Sequence, residues 1–530
     1  MALVIVLMVT QCVIRVHKVE ASGTIHIRAD GSVEGTDKIQ RDGDIYTFTD
    51  NIYDEVVIER DNIVLDGAAY TLQGTGVFSR GISLSGGNVT IKNMEIKAFW
   101  YGILFDSSNN KVFGNNITNN EYGVWIESSS NNIFRNNIVT NNRYGFFVYG
   151  GPLSQYIHDI DASNTVNGKP VYYWLNKQNM AIPVDAGYVG LVNCTNITIE
   201  NLRLENNGQG ILLAYTTNST IRQNIITHNQ YGIELHDSSN NNLTGNSMIS
   251  NDGSGLGTYW SSNNSITRNN IVGNGFGLEL SNSLNNSIVE NDILNNTGGI
   301  LLTGSSNNTI LGNNFTSNNL GGILLENSSN YNNICENNIT NNDEWGISLC
   351  IWPGSQAWNN RISGNNIAHN KKDGIHMYAS NCSVISGNNI TANSWNGIGL
   401  TYSFNNTISG NNIIDNDAGI DLSSSSKNNV TENTIANNGY GISLNYSINN
   451  TIHHDNFIDN TRQVYVFSSY DNFWDDDYPS GGNYWNDYAG TDVKSGPNQD
   501  QPGNDGIGDL PFVINEDNRD RYPLMRARVS

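Results

Sequence analysis

Positive charge is scarce in this chain. Lys and Arg number 27 against 50 Asp and Glu, and the net charge of −23 sets the surface against nucleic acid and anionic membranes. Cations and neutral sugars remain compatible partners. Long apolar runs are also missing: beyond the N-terminal segment none approaches the roughly 18 residues that cross a bilayer, so no transmembrane anchor is expected. Of the five cysteines, Cys12 falls in that segment, and Cys194, Cys335, Cys350 and Cys382 show neither CxxC nor any metal-ligand spacing. They read as small buried hydrophobes. His and Met are few and scattered, with only His453-His454 adjacent. Neighbours on a strand point to opposite faces, so that pair is not expected to grip one ion, and copper is poorly provided for.

Asn, in contrast, supplies about one residue in six. Such a bias in a disordered tract would lack order, yet here Gly, Ile and Leu recur with it. Gly81, Gly102, Gly123 and Gly145, then Gly210, Gly232, Gly255, Gly277, Gly299, Gly322, Gly346, Gly374, Gly397, Gly419 and Gly441 each precede an apolar residue, at steps of mostly 21 to 24 residues. One unit runs Tyr231-Gly232-Ile233-Glu234-Leu235, Asn241-Asn242-Leu243, then Asn246, Met248 and Asn251: three short apolar stretches with Asn at the bends. A leucine-rich repeat needs a Leu skeleton and a helical or extended return, which this pattern lacks. The expectation is all-β: a right-handed single-stranded parallel β-helix of about 15 or more coils of about 22 residues. Equivalent Asn residues would stack into hydrogen-bonded ladders at the corners.

The ends depart from the repeat, as a solenoid that must hide its strand edges requires. Residues 1–23 read as an export signal, an apolar start followed by Ala21-Ser22-Gly23. Residues 24–76 read as an N-terminal cap with the first coils, 77–470 as the repeats, and 471–530 as an aromatic, Asp-rich closing cap. The repeat is broken at about 150–190, where Gly168-Lys169-Pro170-Val171-Tyr172-Tyr173-Trp174 suggests a protruding hairpin or an enlarged coil.

Val89-Thr90-Ile91-Lys92-Asn93, the Ser-x-Asn-Asn repeats, Asn167-Gly168-Lys169-Pro170-Val171-Tyr172-Tyr173, and Asn472-Phe473-Trp474-Asp475 through Gly481-Gly482-Asn483-Tyr484-Trp485 to Asp520-Arg521-Tyr522-Pro523-Leu524 together resemble the NosD-like β-helix family. That family is also labelled as carbohydrate-binding and sugar-hydrolysing β-helices. The resemblance implies the fold and a secreted or cell-surface location. Its activities are diverse: such β-helices include lyases, epimerases, surface proteins and a branch linked to copper-site maturation.

On a Gly-Ile-x-Leu-x strand the second and fourth residues after Gly face outward. In the first coils this column collects Asp106, Trp125, Glu127, Phe147 and Tyr149, with Trp100, Tyr101, Tyr122 and Tyr144 next to the glycines. Exposed aromatic rows suit the apolar faces of sugar rings, and Tyr172, Tyr173 and Trp174 are placed close by. Asp106 and Glu127, one coil apart at about 5 Å, match the spacing of a retaining glycosidase pair. A second cluster comprises Glu234, His236, Tyr259, Trp260 and Glu279, an acid-base set suited to a uronic acid polymer if it is not simply solvated surface. Asp500, Asn504, Asp505 and Asp509 offer hard oxygen donors for Ca2+, although the spacing is not that of an EF-hand and a hydrogen-bonded turn accounts for the same residues. The reading is a secreted or cell-surface protein that binds a polysaccharide or surface glycan on an aromatic and acidic face. Alternatives are a polysaccharide lyase, hydrolase or epimerase, a structural adhesion rod and, most distant, a copper-site maturation factor.

Overall fold

The computed structural model describes residues 23–74, 78–350 and 354–528, so the segment read as an export signal lies, but for Gly23, outside the described residues. The chain is an all-β, right-handed solenoid of about 19 turns of about 22 residues. Among the described residues the sole helical element is a 3₁₀ turn, Leu153–Tyr156. Each coil contributes three short strands, such as Tyr231–His236, Asn242–Thr244 and Ser247–Ile249. Each pairs in parallel with its equivalent one coil on: Ile233 opposite Leu256, Leu243 opposite Ile266, Met248 opposite Ile271. β-branched residues favour strands this short because their stiff side chains fill an inner column without gaps. Ile233, Leu256, Leu278, Ile300, Ile323 and Ile347 are fully buried in one such column.

The recurrent Gly is required by close approach. A Cβ on Gly277 would stand 2.6 Å from the carbonyl oxygen of Gly299 and 2.5 Å from Ile293, a space that only hydrogen fits. Asn plays two roles. At exposed corners such as Asn240, Asn263 and Asn285 it takes positive φ, which Asn tolerates better than other residues with a Cβ. At inner corners it forms ladders. Asn291 Oδ1 accepts the backbone N–H of Asn269 at 2.9 Å and its Nδ2–H at 2.9 Å, while Asn291 Nδ2 donates to the carbonyl of Ile266 at 2.9 Å. The same contacts pass on through Asn313, Asn337 and Asn365.

One ladder closes on an imidazole. His158 Nδ1 faces the backbone N–H of Asn132 at 3.4 Å, and His158 Nε2–H donates to the Gln155 carbonyl at 3.0 Å. Burial pushes its pKa down to about 4. Below about pH 6.5 the unfolded chain takes up a proton that the folded chain refuses. The contribution is therefore whole above pH 6.5 and lost as pH falls towards 4, by about 3 kcal/mol. We expect His158→Asn, which restores a ladder amide, to flatten the pH dependence of thermal unfolding between pH 6.5 and 4. An unchanged profile would rule this account out.

The interrupted segment is an enlarged coil that joins two stacks and does not protrude. Asn167-Gly168, both at positive φ, turn the chain so that Thr165–Val166 pairs antiparallel with Lys169–Pro170. Lys169–Leu175 then continues as a rung, paired in parallel with Tyr188–Val192. Strand Gln209–Ala214 meets Tyr188–Val192 along its second half and the last strand of the first stack, Tyr144–Tyr149, at its start. Gly208 N–H donates to the Phe146 carbonyl at 2.7 Å. The fully buried Gln209 amide replaces a missing peptide, accepting from Val148 N–H at 3.3 Å and donating to its carbonyl at 3.0 Å. At the far end, Trp485 stacks between Phe457 and Phe512, each at 4.3 Å, and closes the core.

Candidate functional site

Joining the stacks brings the two outward clusters together. Trp125, Glu127, Phe147 and Tyr149 from the first stack, and Tyr231, Glu234, His236, Tyr259 and Trp260 from the second, line one cavity of about 340 Å³. Trp125 lies flat on Phe147 at 4.0 Å, Phe147 is 6.3 Å from Tyr231, and Tyr149 meets the edge of His236 at 5.8 Å. Tyr259 stacks on the other face of the region at 4.9 Å from His236. Tyr149 and Trp260 form an exposed rim, 42% and 58% accessible. Trp260 holds positive φ at a corner where the next coil has Asn282, a strained position for a bulky side chain.

The floor is polar. Glu234 and His236 face outward from their strand, yet both are buried; Tyr149 of the first stack and Tyr156 of the joining segment pack against the His236 ring. His236 Nε2 stands 3.6 Å from Glu234 Oε2, within ion-pair range but beyond a good hydrogen bond, and neither atom has a hydrogen-bond partner among the described residues. A buried polar atom left unpaired costs about 1–3 kcal/mol. Glu279 lies beyond Tyr259: its Oε2 accepts from Ser254 Oγ at 2.7 Å and from Tyr259 Oη at 3.2 Å. Burial, with the Glu234 and Glu279 charges, holds the Tyr259 phenol far above its ordinary pKa, so it is a neutral donor.

Other expected residues fall elsewhere. Asp106 and Glu127 follow the paired residues Phe105 and Ile126 on adjacent coils; Asp106 is exposed and outside the cavity, and Glu127 accepts from the Trp125 indole N–H at 3.0 Å. Tyr101 stacks on Tyr122 at 5.3 Å and meets Trp125 edge-on at 5.2 Å; Trp100 stacks on Phe78. They extend the aromatic surface along the rod without lining the cavity. Tyr172, Tyr173 and Trp174 line a separate cavity of about 390 Å³ with His158 and Asp161, since their segment is a rung of the solenoid. Tyr173 is itself buried and donates to the Tyr156 carbonyl.

The Asp-rich cap is held by side-chain to backbone hydrogen bonds. Asp509 accepts from the backbone N–H groups of Val493 and Lys494, and Asp505 from those of Gly496 and Ile507, the hydrogen-bonded turn that was the alternative. Asp500 and Asn504 are exposed. Cys194 and Cys350 are buried, but Cys335 is only half-buried and Cys382 is exposed. The expectation for the adjacent histidines is overturned: His453 Nδ1 and His454 Nδ1 lie 3.0 Å apart. His454 has φ +61, and a left-handed corner abolishes the alternation of a strand. Tyr231 and Tyr156 were missed. Tyr231 occupies the position before Gly that Tyr122 and Tyr144 share, a usable signal; nothing local marked Tyr156.

Residues 160–298, 291–370 and 353–490 match the sequence family described as periplasmic copper-binding protein (NosD), and residues 39–182 match the right-handed β-helix region. The NosD matches span more than half of the chain. The chain belongs to the NosD family. Comparison with the curated proteins finds no match. Among solved structures, the chain is similar to the periplasmic alginate epimerase AlgG, with 12% identity over 83% of each chain and a TM-score of 0.31. It is also similar to the A-module of Azotobacter vinelandii mannuronan C-5 epimerase AlgE6, with 14% identity over 79% of this chain and 91% of that one, TM-score 0.28. The Dettilon tailspike protein has 13% identity over 72% of this chain and 60% of that one, TM-score 0.27. Likenesses this remote carry nothing about chemistry. No helix among the described residues of this NosD protein is long and apolar enough to cross a membrane. For the copper in the family's description, no cysteine joins a group of three ligating side chains among the described residues. Among the described residues, His453, His454 and Asp476 are the group of three ligating side chains drawn together, and imidazole with carboxylate suits the cupric ion.

Proposed function

We propose that this protein is exported and binds a polysaccharide or surface glycan, seating one sugar residue in the cavity between Trp125 and Tyr259. The observation that carries this reading is the combination of aromatic walls with two buried, unpaired polar atoms on the floor, Glu234 Oε2 and His236 Nε2. Sugar rings present apolar C–H faces to aromatic side chains and a rim of hydroxyls to polar groups. The cavity lies at the low end of the roughly 300–1,000 Å³ range of ligand clefts. Coils about 4.8 Å apart, close to the length of a sugar residue, let Tyr101 and Trp100 extend the contact along a chain. The periplasmic description of the family supports a location outside the cytoplasm.

The Glu234–His236 pair favours a second reading, acid-base turnover of the bound glycan. A buried carboxylate and imidazole 3.6 Å apart, with the Tyr259 phenol stacked alongside, are the equipment for moving a proton at a uronic acid carbon. The test is a panel of neutral and acidic polysaccharides scored for retention and for new reducing or unsaturated ends, with exchange of solvent deuterium into the polymer as the sign of epimerisation. Retention without product establishes binding. Product or exchange that disappears in Glu234→Gln establishes turnover, and absence of both retention and product refutes the proposal.

A further inference from the structure

In the corner column that ends at His454, successive coils present Gln223, Gly245, Arg268, Glu290, Gly312, Glu336, Gly364, Gly387, Gly410 and Glu432, all at positive φ. The strand residue before each corner is equally variable, ending in Thr431 and then His453. The last coil alone in this series sets two imidazoles side by side, where the closing cap folds back. His454 N–H donates to the Gly482 carbonyl at 2.9 Å, which lays the cap segment over the pair.

The protonation pattern follows from the hydrogen bonds. His454 Nε2 faces the Ser480 carbonyl at 3.2 Å, an acceptor only, so Nε2 carries the proton and Nδ1 keeps its lone pair. Ser480 Oγ donates to Asp476 Oδ2 at 2.8 Å, orienting the carboxylate. One serine thus sets both the tautomer of a histidine and the direction of an acid, as outer partners do at metal sites. Nδ1 of His453, Nδ1 of His454 and a carboxylate oxygen of Asp476 all lie within 4.8 Å of one another. The two nitrogens are 3.0 Å apart. Bonds of about 2.0 Å place adjacent ligands about 2.9 Å apart in a square plane and about 3.3 Å in a tetrahedron. Arg528 reaches the Ser480 carbonyl from the solvent side, and the Asp476 and Glu432 carboxylates offset its charge.

We propose that His453, His454 and Asp476 bind one divalent transition-metal ion, cupric copper ahead of zinc, at the junction of the last coil and the closing cap. The family description names copper; the residues and geometry assign where this chain holds it. Binding shifts the His453 proton from Nδ1 to Nε2 through solvent, so no net proton is released at neutral pH. The remaining coordination positions face solvent past the exposed Asp476. Because the ligands come from both coil and cap, the ion also clasps the cap to the rod and raises its resistance to unfolding.

The full chain is titrated with CuCl2 and, separately, with ZnCl2 by calorimetry, and the copper form is examined by electron paramagnetic resonance. One equivalent of Cu2+ with coupling to two nitrogens, bound more tightly than Zn2+, is expected. His453→Asn and His454→Asn each weaken binding at least tenfold, Ser480→Ala weakens it about tenfold through loss of orientation, and exposed His369→Asn leaves it unchanged. Should a histidine variant fail to fold, the exposed Asp476→Asn variant still decides, by weaker copper binding with the same circular dichroism. No saturable equivalent, or one whose affinity and nitrogen coupling survive His453→Asn, overturns the site. Tighter binding of Zn2+ than of Cu2+ overturns the preference.

Discussion

Trp125→Ala is expected to weaken glycan retention by roughly 30-fold, about 2 kcal/mol, the scale of a central aromatic anchor. Trp125 makes two contacts that the variant loses together: the flat face on Phe147 at 4.0 Å, which aligns the wall of the cavity, and the indole hydrogen bond that holds Glu127. Its side chain lies on the outer face, while Val124 and Ile126 on the same strand fill the core, so the fold should persist. Trp125→Phe keeps part of the stacking surface and should recover part of the affinity. The measurement is retention on the glycan selected by the panel, with circular dichroism as the control for folding. An unaltered affinity would place the glycan away from this cavity.

Asn291→Leu is expected to be among the most destabilising substitutions in the rod. Leu has the branching and heavy-atom count of Asn but carries bulkier methyls in place of the polar atoms. The variant strands the Asn269 backbone N–H, the Asn269 amide and the Ile266 carbonyl, all buried. At about 1–3 kcal/mol for each of the three orphaned groups the loss is roughly 3–9 kcal/mol before relaxation lets water in, which brings it towards the lower end. In a solenoid each coil leans on its neighbours, so the damage should open the middle of the rod first. Four residues along, Asn295 occupies an exposed corner at φ +54, and Asn295→Leu should cost only the strain of that conformation, about 1 kcal/mol. Thermal unfolding of the two variants, with proteolysis to locate the first cut, makes the comparison. Equal losses would mean that the ladder contributes no more than corner geometry does.

Both asparagines sit in the same kind of motif, yet a period of about 22 residues separates their roles. Asn246, Asn269, Asn291 and Asn313 recur in register with the apolar strands, and this marks the ladder before any coordinates are known. The coil, its three strands and its inner columns of Ile and Leu were legible for the same reason. The candidate site was only half legible. Its residue types stood out as aromatic and acidic exceptions on a Ser, Thr and Gly face, but Trp125 and Tyr259 are separated by more than a hundred residues and by the broken repeat.

Whatever repeats could be read from the residues alone: a local pattern, copied coil after coil, dictates pairing, core and ladders because each coil meets only its neighbours. What the tertiary structure decided lies where the repeat fails. The route through residues 150–190 sets Tyr149 over His236, and the return of the closing cap sets Ser480 against His454. Those contacts join residues distant in the chain through geometry that is used once, and a pattern that occurs once leaves no period to read.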